Sequence, residues 1–224
     1  MKSKRISLLM CGRKTLFSSS QTIKKQFNID KWEHEKEYNP SFNIAPTLES
    51  QVIVYKKQPT IKQMRWGFGF VKGYKSLFNA RIETLNKKIS FRNLINGHRC
   101  IVISDGYYEW KSIEGKKIPY FVFCSDKSIM PMAGLCKWDV NEYGEKKLVY
   151  TIITKKARNE LKDIHHREPM VLDEAGYRLW INNEKIINDP NDFTNYSYKN
   201  ISYRKVSSYV NSVKNNDIKC LGRI

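Results

Sequence analysis

RCIVISDGYYEW, residues 99–110, carries the strongest fold signal in the sequence. Its first half is a short apolar, β-branched run, and the Asp-Gly pair that follows is typical of a strand ending in a turn. Three similar runs are QVIVYKK (51–57), PYFVFCS (119–125) and LVYTIIT (148–154). Helical patterns are fewer, at 18–37, 155–164 and 175–185. Because strands dominate without regular βαβ alternation, the sequence predicts an α+β fold of mostly antiparallel strands forming a barrel-like core with peripheral helices.

The charge and composition of the chain indicate which kinds of partner it binds. The 224 residues carry a formal net charge of +18, with a pI of about 9.6. Such an excess favours a polyanion, nucleic acid before an anionic membrane surface. A composition rich in Lys, Asn and Ile, as in an AT-rich genome, is an alternative source of part of that charge. The sequence has no internal repeat, no apolar stretch of about 18 residues and no secretory signal pattern. We therefore predict one intracellular domain that is monomeric and does not associate with membranes.

Cysteine usage gives no sign of a disulfide framework or a metal site. The five cysteines are odd in number and include no C-x-x-C pair. A reducing compartment fits this pattern, and no structural zinc is expected. The positions are Cys11, Cys100, Cys124, Cys136 and Cys220.

Two segments offer candidate acid–base groups. Glu109 lies between aromatic residues, where a carboxylate is costly to desolvate unless it is paired or has a raised pKa. It is therefore a candidate general acid or base, with a solvent-facing Glu as the alternative. His165 and His166 are adjacent and would face opposite ways on a strand, so only one of them can enter a site. A solvated or structural histidine is the alternative for both.

The stretch FNARIET (78–84) places Asn79 and Arg81 two residues apart, on one face of an extended segment. An orienting amide beside a phosphate-binding guanidinium would suit nucleic-acid recognition. Trp66 could stack on a base, although a tryptophan in a core is the alternative.

The motifs together resemble those of the SOS response-associated peptidase (SRAP) family. The resemblance runs in order from residue 10 to about residue 220 and rests on MCGR, NIAPT, RWGFGF, NARIET, ISDGYYEW, MAGLCKW, TIIT, IHHREPMVL and, near the C-terminus, VSSYVNSVKNND. It implies an SRAP-like fold in a single domain over residues 11–224. Residues 1–10 would be a leader or a mis-assigned start that is absent from the mature chain.

The resemblance also implies a function. Family members sense abasic sites in single-stranded DNA and protect the lesion during the DNA damage response, through a thiazolidine cross-link between an N-terminal cysteine and the opened sugar. The chain would thus be a lyase-like cross-linking enzyme, in a family labelled peptidase, and would need no cofactor. Its location would be cytoplasmic and nucleoid-associated in a bacterium, or nuclear in a eukaryote. The implied catalytic residues are Cys11, Asn79, Glu109 and His165, and the implied DNA-binding residues are Arg13, Trp66, Arg81 and Arg167.

Two departures from the family pattern matter. Nine residues precede Met10, and an internal Cys11 has an amide instead of the required amine, so either translation starts at Met10 or the leader is removed by autoproteolysis. Glu168 is acidic where the family often carries Met or Arg, and we expect it to weaken the local phosphate contact. Two other functions stay open: a cysteine peptidase using Cys11, His165 and Asn79, and a non-catalytic module for single-stranded nucleic acid.

Overall fold

Strands account for most of the regular structure. The computed structural model describes residues 12–69 and 76–222. The strands in this part are β1 (Lys14–Leu16), β2 (Ser41–Ile44), β3 (Glu49–Tyr55), β4 (Pro59–Trp66), β5 (Asn79–Arg81), β6 (Arg99–Ser104), β7 (Gly106–Ile113), β8 (Lys116–Cys124), β9 (Met130–Val140), β10 (Lys146–Lys156), β11 (Arg167–Pro169) and β12 (Ile201–Lys205). The α-helices are α1 (Ser20–Phe27), α2 (Ile89–Arg92) and α3 (Glu174–Ile181).

Five strands close into a small barrel, which confirms the predicted barrel-like core. The order is β10-β4-β3-β6-β9, and the ring closes because β9 pairs with β10. The pairs are antiparallel except for β10 with β4, which run parallel. Apolar side chains such as Ile101, Ile153 and Met132 are almost completely buried and belong to the main core. Their burial provides the main driving force for this packing.

A second sheet, in the order β12-β8-β7-β1-β2, packs beside the barrel. The stretch 99–110 joins the two sheets, because β6 belongs to the barrel and β7 to the second sheet. Asp105 lies at the junction and accepts hydrogen bonds from the amides of Phe17, at 2.5 Å, and Ser18, at 3.0 Å. The carboxylate therefore fixes the exit of β1 against the start of β7.

The helices differ in part from the sequence prediction. The helix expected over 18–37 is α1, which begins after its N-cap Ser19 and ends at the left-handed Asn28. The helix expected over 175–185 corresponds to α3, which begins after its N-cap Asp173.

The prediction of a helix over 155–164 was wrong. Strand β10 continues to Lys156 because it pairs with β11, and only a 3-10 turn, Asn159–Leu161, follows. Tertiary pairing thus overrides the local helix preference of this segment. The segment 182–200, which is rich in Asn and Asp, includes a 3-10 helix, Pro190–Tyr196, which buries Phe193. Among the described residues, no helix combines the length and apolar character that crossing a bilayer requires.

Lys14 is an unusual feature of β1, because its side chain is buried in the interior. Its ammonium donates to Ser50 Oγ at 2.6 Å and to the Ile103 carbonyl at 3.1 Å. Burial lowers the pKa of Lys14 to about 7, and the charge of Asp105 opposes that shift. The folded chain thus releases this proton near neutral pH, whereas an unfolded lysine keeps it up to about pH 10.4.

We therefore expect Lys14 to make the stability depend on pH. Between about pH 7 and pH 10 the unfolded state binds the extra proton, so this residue adds about 1.4 kcal/mol to the free energy of unfolding per pH unit. Urea denaturation of the wild-type chain and Lys14→Met at pH 7 and pH 9 measures this term. The wild-type chain should gain stability relative to the variant as the pH rises. Parallel pH dependences would show that Lys14 keeps its proton.

Candidate active site

The candidate site is centred on Glu109 and His165. Both side chains are buried, and Glu109 Oε1 lies 4.0 Å from His165 Nδ1. That separation allows a charge interaction but is too long for a hydrogen bond. Unprotonated Nδ1 accepts from the Arg167 amide at 3.1 Å; protonated Nδ1 faces the Arg167 carbonyl at 3.2 Å. Nδ1 therefore has a backbone partner in either tautomer of the ring.

Strand pairing brings the beginning of the described chain to Glu109. Lys14 lies opposite Tyr107, and the Tyr108 amide donates to the Arg13 carbonyl at 2.9 Å. Continuing this antiparallel register by two residues places Gly12 opposite Glu109. Cys11, predicted as the nucleophile, lies outside the described residues and is the residue that precedes Gly12.

Strand β10 gathers the other segments at its C-terminal end. Asn79 and Arg81 lie on β5, which pairs with β10 opposite Ile152 and Thr154. Ala80 between them is buried, so the two share the other face, as the alternation predicts. Strand β11 pairs with the same end of β10.

His166 lies at the edge of this site. It is exposed and stacks against His165, with 4.3 Å between the ring centroids. Its pKa is lowered, first by lost hydration and then by the neighbouring charges of His165, Arg167 and Arg81. His165 is the one of the two whose side chain is buried beside Glu109, but the reason differs from the one expected: both residues precede β11, and their rings lie in contact instead of facing opposite ways.

Arg13 joins the site to the C-terminal segment. Its guanidinium donates to Asn43 Oδ1 at 2.6 Å and to the Val210 carbonyl at 2.9 Å, and it lies over the Trp110 ring. The Asn43 amide donates in turn to the carbonyls of Val210 and Asn215. The NIAPT and VSSYVN motifs thus meet beside the beginning of the described chain.

Comparisons with known proteins agree with this architecture. The sequence model of the SOS response associated peptidase (SRAP) family matches residues 10–213. The chain belongs to the SRAP family. It is 38% identical over 220 residues to the abasic site processing protein YoqW of Bacillus subtilis strain 168, covering 92% of this chain and 96% of that protein.

The chain is also similar to an animal protein and, in its fold, to a solved structure. The abasic site processing protein HMCES of Gallus gallus is 30% identical over 228 residues, covering 85% of this chain and 68% of that one. A crystal structure of a Bacteroides thetaiotaomicron protein has a TM-score of 0.80 at 20% identity, covering 96% of this chain and 100% of that one. The latter match supports the SRAP-like fold alone.

Besides Arg13, whose guanidinium binds Asn43 and the Val210 carbonyl, two further residues predicted to bind DNA have other contacts in this SRAP domain. Trp66 is completely buried, stacks on Tyr150 and donates from its indole to the Phe78 carbonyl at 2.9 Å. It has no face open to a base and is a core residue. Arg167 is also buried and donates to both carboxylate oxygens of Glu83, at 2.6 and 2.9 Å, and to the Thr154 carbonyl. The predicted phosphate contact of Arg167 does not fit this placement, whereas Arg81 is exposed.

Glu168 faces a different environment from the one expected. Its carboxylate is buried between Lys155, at 2.5 Å, and Arg158, at 3.0 Å. These cations compensate its charge, so it provides no free negative charge to repel a phosphate. Glu83 was not among the residues predicted for the site, although it lies in the NARIET motif.

We expect loss of the Arg167–Glu83 pair to destabilise the site. Arg167→Ala removes the link from a buried guanidinium to the partly exposed Glu83, which joins the segments that carry Arg81 and His165, and should lower the free energy of unfolding by about 1.5–3 kcal/mol. Urea denaturation measures the loss. The matched control is Arg178→Ala, which breaks an exposed helical pair with Glu174 and should cost under about 0.5 kcal/mol. Equal losses for the two variants would contradict a structural role of Arg167.

Proposed function

We propose that this chain processes abasic sites in single-stranded DNA by forming a covalent cross-link through Cys11. The observation that carries the proposal is the buried Glu109–His165 pair, because the pairing of β1 with β7 leads the chain toward Glu109 at Gly12, the residue that follows Cys11. The names of the relatives and the net charge of +18 support DNA as the partner.

The chemistry requires Cys11 to be the first residue of the mature chain. A ring-opened abasic sugar exposes an aldehyde at C1′. The α-amine adds to this carbon to give a carbinolamine, which loses water to form an imine. The thiol sulfur then adds to the imine carbon while its proton passes to nitrogen, closing a five-membered thiazolidine. An α-amine pKa of about 7.7–8.0 leaves a useful neutral fraction at pH 7.

Glu109 and His165 are the proton carriers in this proposal. Opening the sugar ring requires a proton at the ring oxygen and removal of one from the C1′ hydroxyl. Loss of water from the carbinolamine requires a proton on the departing hydroxyl. A carboxyl group and an imidazole held in a buried site can perform these transfers. Asn79 would orient the amine or the sugar, and Arg81 would bind a flanking phosphate.

Exposure of the amine at Cys11 has two routes. Translation from Met10 followed by removal of that methionine would give the terminus directly. Alternatively, the chain would cleave its own leader before Cys11, which would suit the word peptidase in the family description. Both routes give the same mature residue, so the cross-linking proposal holds for either.

A denaturing gel tests the proposal. Wild-type protein should shift an abasic single-stranded oligonucleotide to a band that survives boiling in SDS without added reductant. An intact oligonucleotide of the same sequence is the control and should stay unshifted. A complex that forms on both strands and dissociates in SDS would instead indicate a non-catalytic binding module. Cleavage of added peptide without any cross-link would indicate a peptidase that acts in trans.

A further inference from the structure

A groove on the outside of the barrel provides a second basic surface. Two depressions share the lining residues Val54, Lys56 and Lys62, so they adjoin on the same surface. We call this surface the lysine groove; its wall includes Lys31, Lys56, Lys57, Lys62 and Trp138. Lys62 and Trp138 lie on β4 and β9, Lys56 and Lys57 follow β3, and Lys31 follows α1. Glu109 and His165 line neither depression.

The lysine groove is positively charged, and three of its lysines form no ion pair with an acidic side chain in the described part of the chain. Lys31, Lys56 and Lys57 are exposed, and none forms an ion pair within 4.0 Å among the described residues. Lys62 pairs with Glu33 at 2.8 Å, and Glu33 is the single acidic residue in the described part of the wall. The groove therefore presents three uncompensated lysines to solvent.

Trp138 adds an aromatic surface to these charges. It is 62% exposed, which is unusual for a tryptophan, and lines the same depression as Lys56 and Lys62. An exposed aromatic beside lysines suits a single strand of nucleic acid, because the ring stacks on a base and the ammonium groups neutralise phosphates. An intact duplex would hide the base faces that such a ring needs.

Strand β10 gives the distance between the groove and the candidate site. Trp138 lies opposite Leu148, whereas Arg81 lies opposite Thr154 at the other end of β10. Six residues of extended strand span about 20 Å. At about 3.4 Å per nucleotide of a stacked, helical strand this separation corresponds to roughly six nucleotides, and a more extended single strand spans it with fewer. A strand held at the lesion could reach the groove only if it continued for several nucleotides.

We propose that the lysine groove binds the single strand that flanks the lesion. This inference rests on the proposed function, since it assigns a path to the DNA whose abasic nucleotide reacts at Cys11. It separates two requirements: capture of the lesion at the candidate site, and retention of the flanking strand at Lys56, Lys57 and Trp138.

The test compares long and short strands with two variants and their controls. Trp138→Ala should weaken binding of an intact 20-nucleotide strand about fivefold to hundredfold, the range for one lost base–aromatic stack. The double variant Lys56→Glu, Lys57→Glu should also reduce the slope of log affinity against log salt by about 1.4, the value for two lost phosphate contacts. Ile89→Ala and the double variant Lys116→Glu, Lys117→Glu are exposed controls and should leave the affinity within about twofold.

A five-nucleotide strand with a central abasic site reports on the proposed function separately. It is too short to reach the groove, so wild-type and groove variants should cross-link it at equal rates. Unchanged affinity of both groove variants for the long intact strand would overturn the inference and leave the surface to another acidic ligand, such as a protein segment. A wild-type chain that never cross-links the short probe would overturn the proposed function. The affinities of the groove variants for the long intact strand would still test whether the lysine groove binds DNA.

Discussion

Cys11→Ala protein is expected to leave abasic single-stranded DNA free of any cross-link that survives boiling in SDS. The thiazolidine needs an amine and a thiol on neighbouring carbons, and alanine retains only the amine. A reversible imine could still form with the terminal alanine, but without ring closure it would hydrolyse on denaturation. The expected effect is complete loss of the shifted band on the gel.

Borohydride makes the Cys11→Ala result diagnostic. Reduction converts an imine into a stable amine. A band that appears for Cys11→Ala only with borohydride would therefore show that the amine forms the imine and that the thiol acts in the later ring closure. Cys136→Ala is the matched control, because this cysteine is buried in the barrel, and it should cross-link like wild type. A heat-stable band from Cys11→Ala without reductant would contradict the mechanism.

Glu109→Gln is expected to slow cross-linking about 10²–10⁴-fold, the usual contribution of a positioned general acid or base. Glutamine keeps the size of the side chain but cannot carry a proton between the sugar and the carbinolamine. The measurement is the rate of band formation at saturating protein, together with the affinity for an intact strand. The rate should fall while the affinity stays unchanged or improves, because a negative charge is removed near the strand.

Glu114→Gln is the matched control for this variant. Glu114 lies just after the same strand, in the exposed turn between β7 and β8, and its removal should not change the rate. Retention of the rate within twofold in Glu109→Gln would show that Glu109 is not the proton carrier. Loss of affinity in proportion to the rate would instead indicate a role in binding.

Much of the fold was predictable because short apolar, β-branched runs in the sequence mark many of its strands. The apolar run 99–104 is β6 at those residues, and the runs at 51–57, 119–125 and 148–154 all overlap observed strands. Closure of the barrel depends on β10 pairing with both β4 and β9, which no single segment indicates. The segment 155–164 shows where prediction from local pattern fails. Its pattern favours a helix, but its first two residues continue β10 because they pair with β11.

The site was predictable in its residue types and less so in their surroundings. The position of Glu109 between aromatics made it a candidate acid or base but left a solvent-facing carboxylate open, and the adjacent histidines indicated that only one of the two could enter a site. Burial of Trp66 and the pairing of Arg167 with Glu83 depend on contacts across the fold. An arginine that binds phosphate and one that binds a carboxylate look the same in a sequence, because both use the same planar donor groups.

The intact mass of the protein purified from cells, measured beside the cross-linking activity of the same sample, decides whether Cys11 is the terminal residue of the active protein. We expect the active protein to have the mass of a chain that begins at Cys11. Reaction with an abasic strand should then add the mass of the oligonucleotide less one water. A sample that retains residues 1–10 and still forms the heat-stable cross-link would contradict the thiazolidine mechanism, because an internal cysteine has no free amine to close the ring.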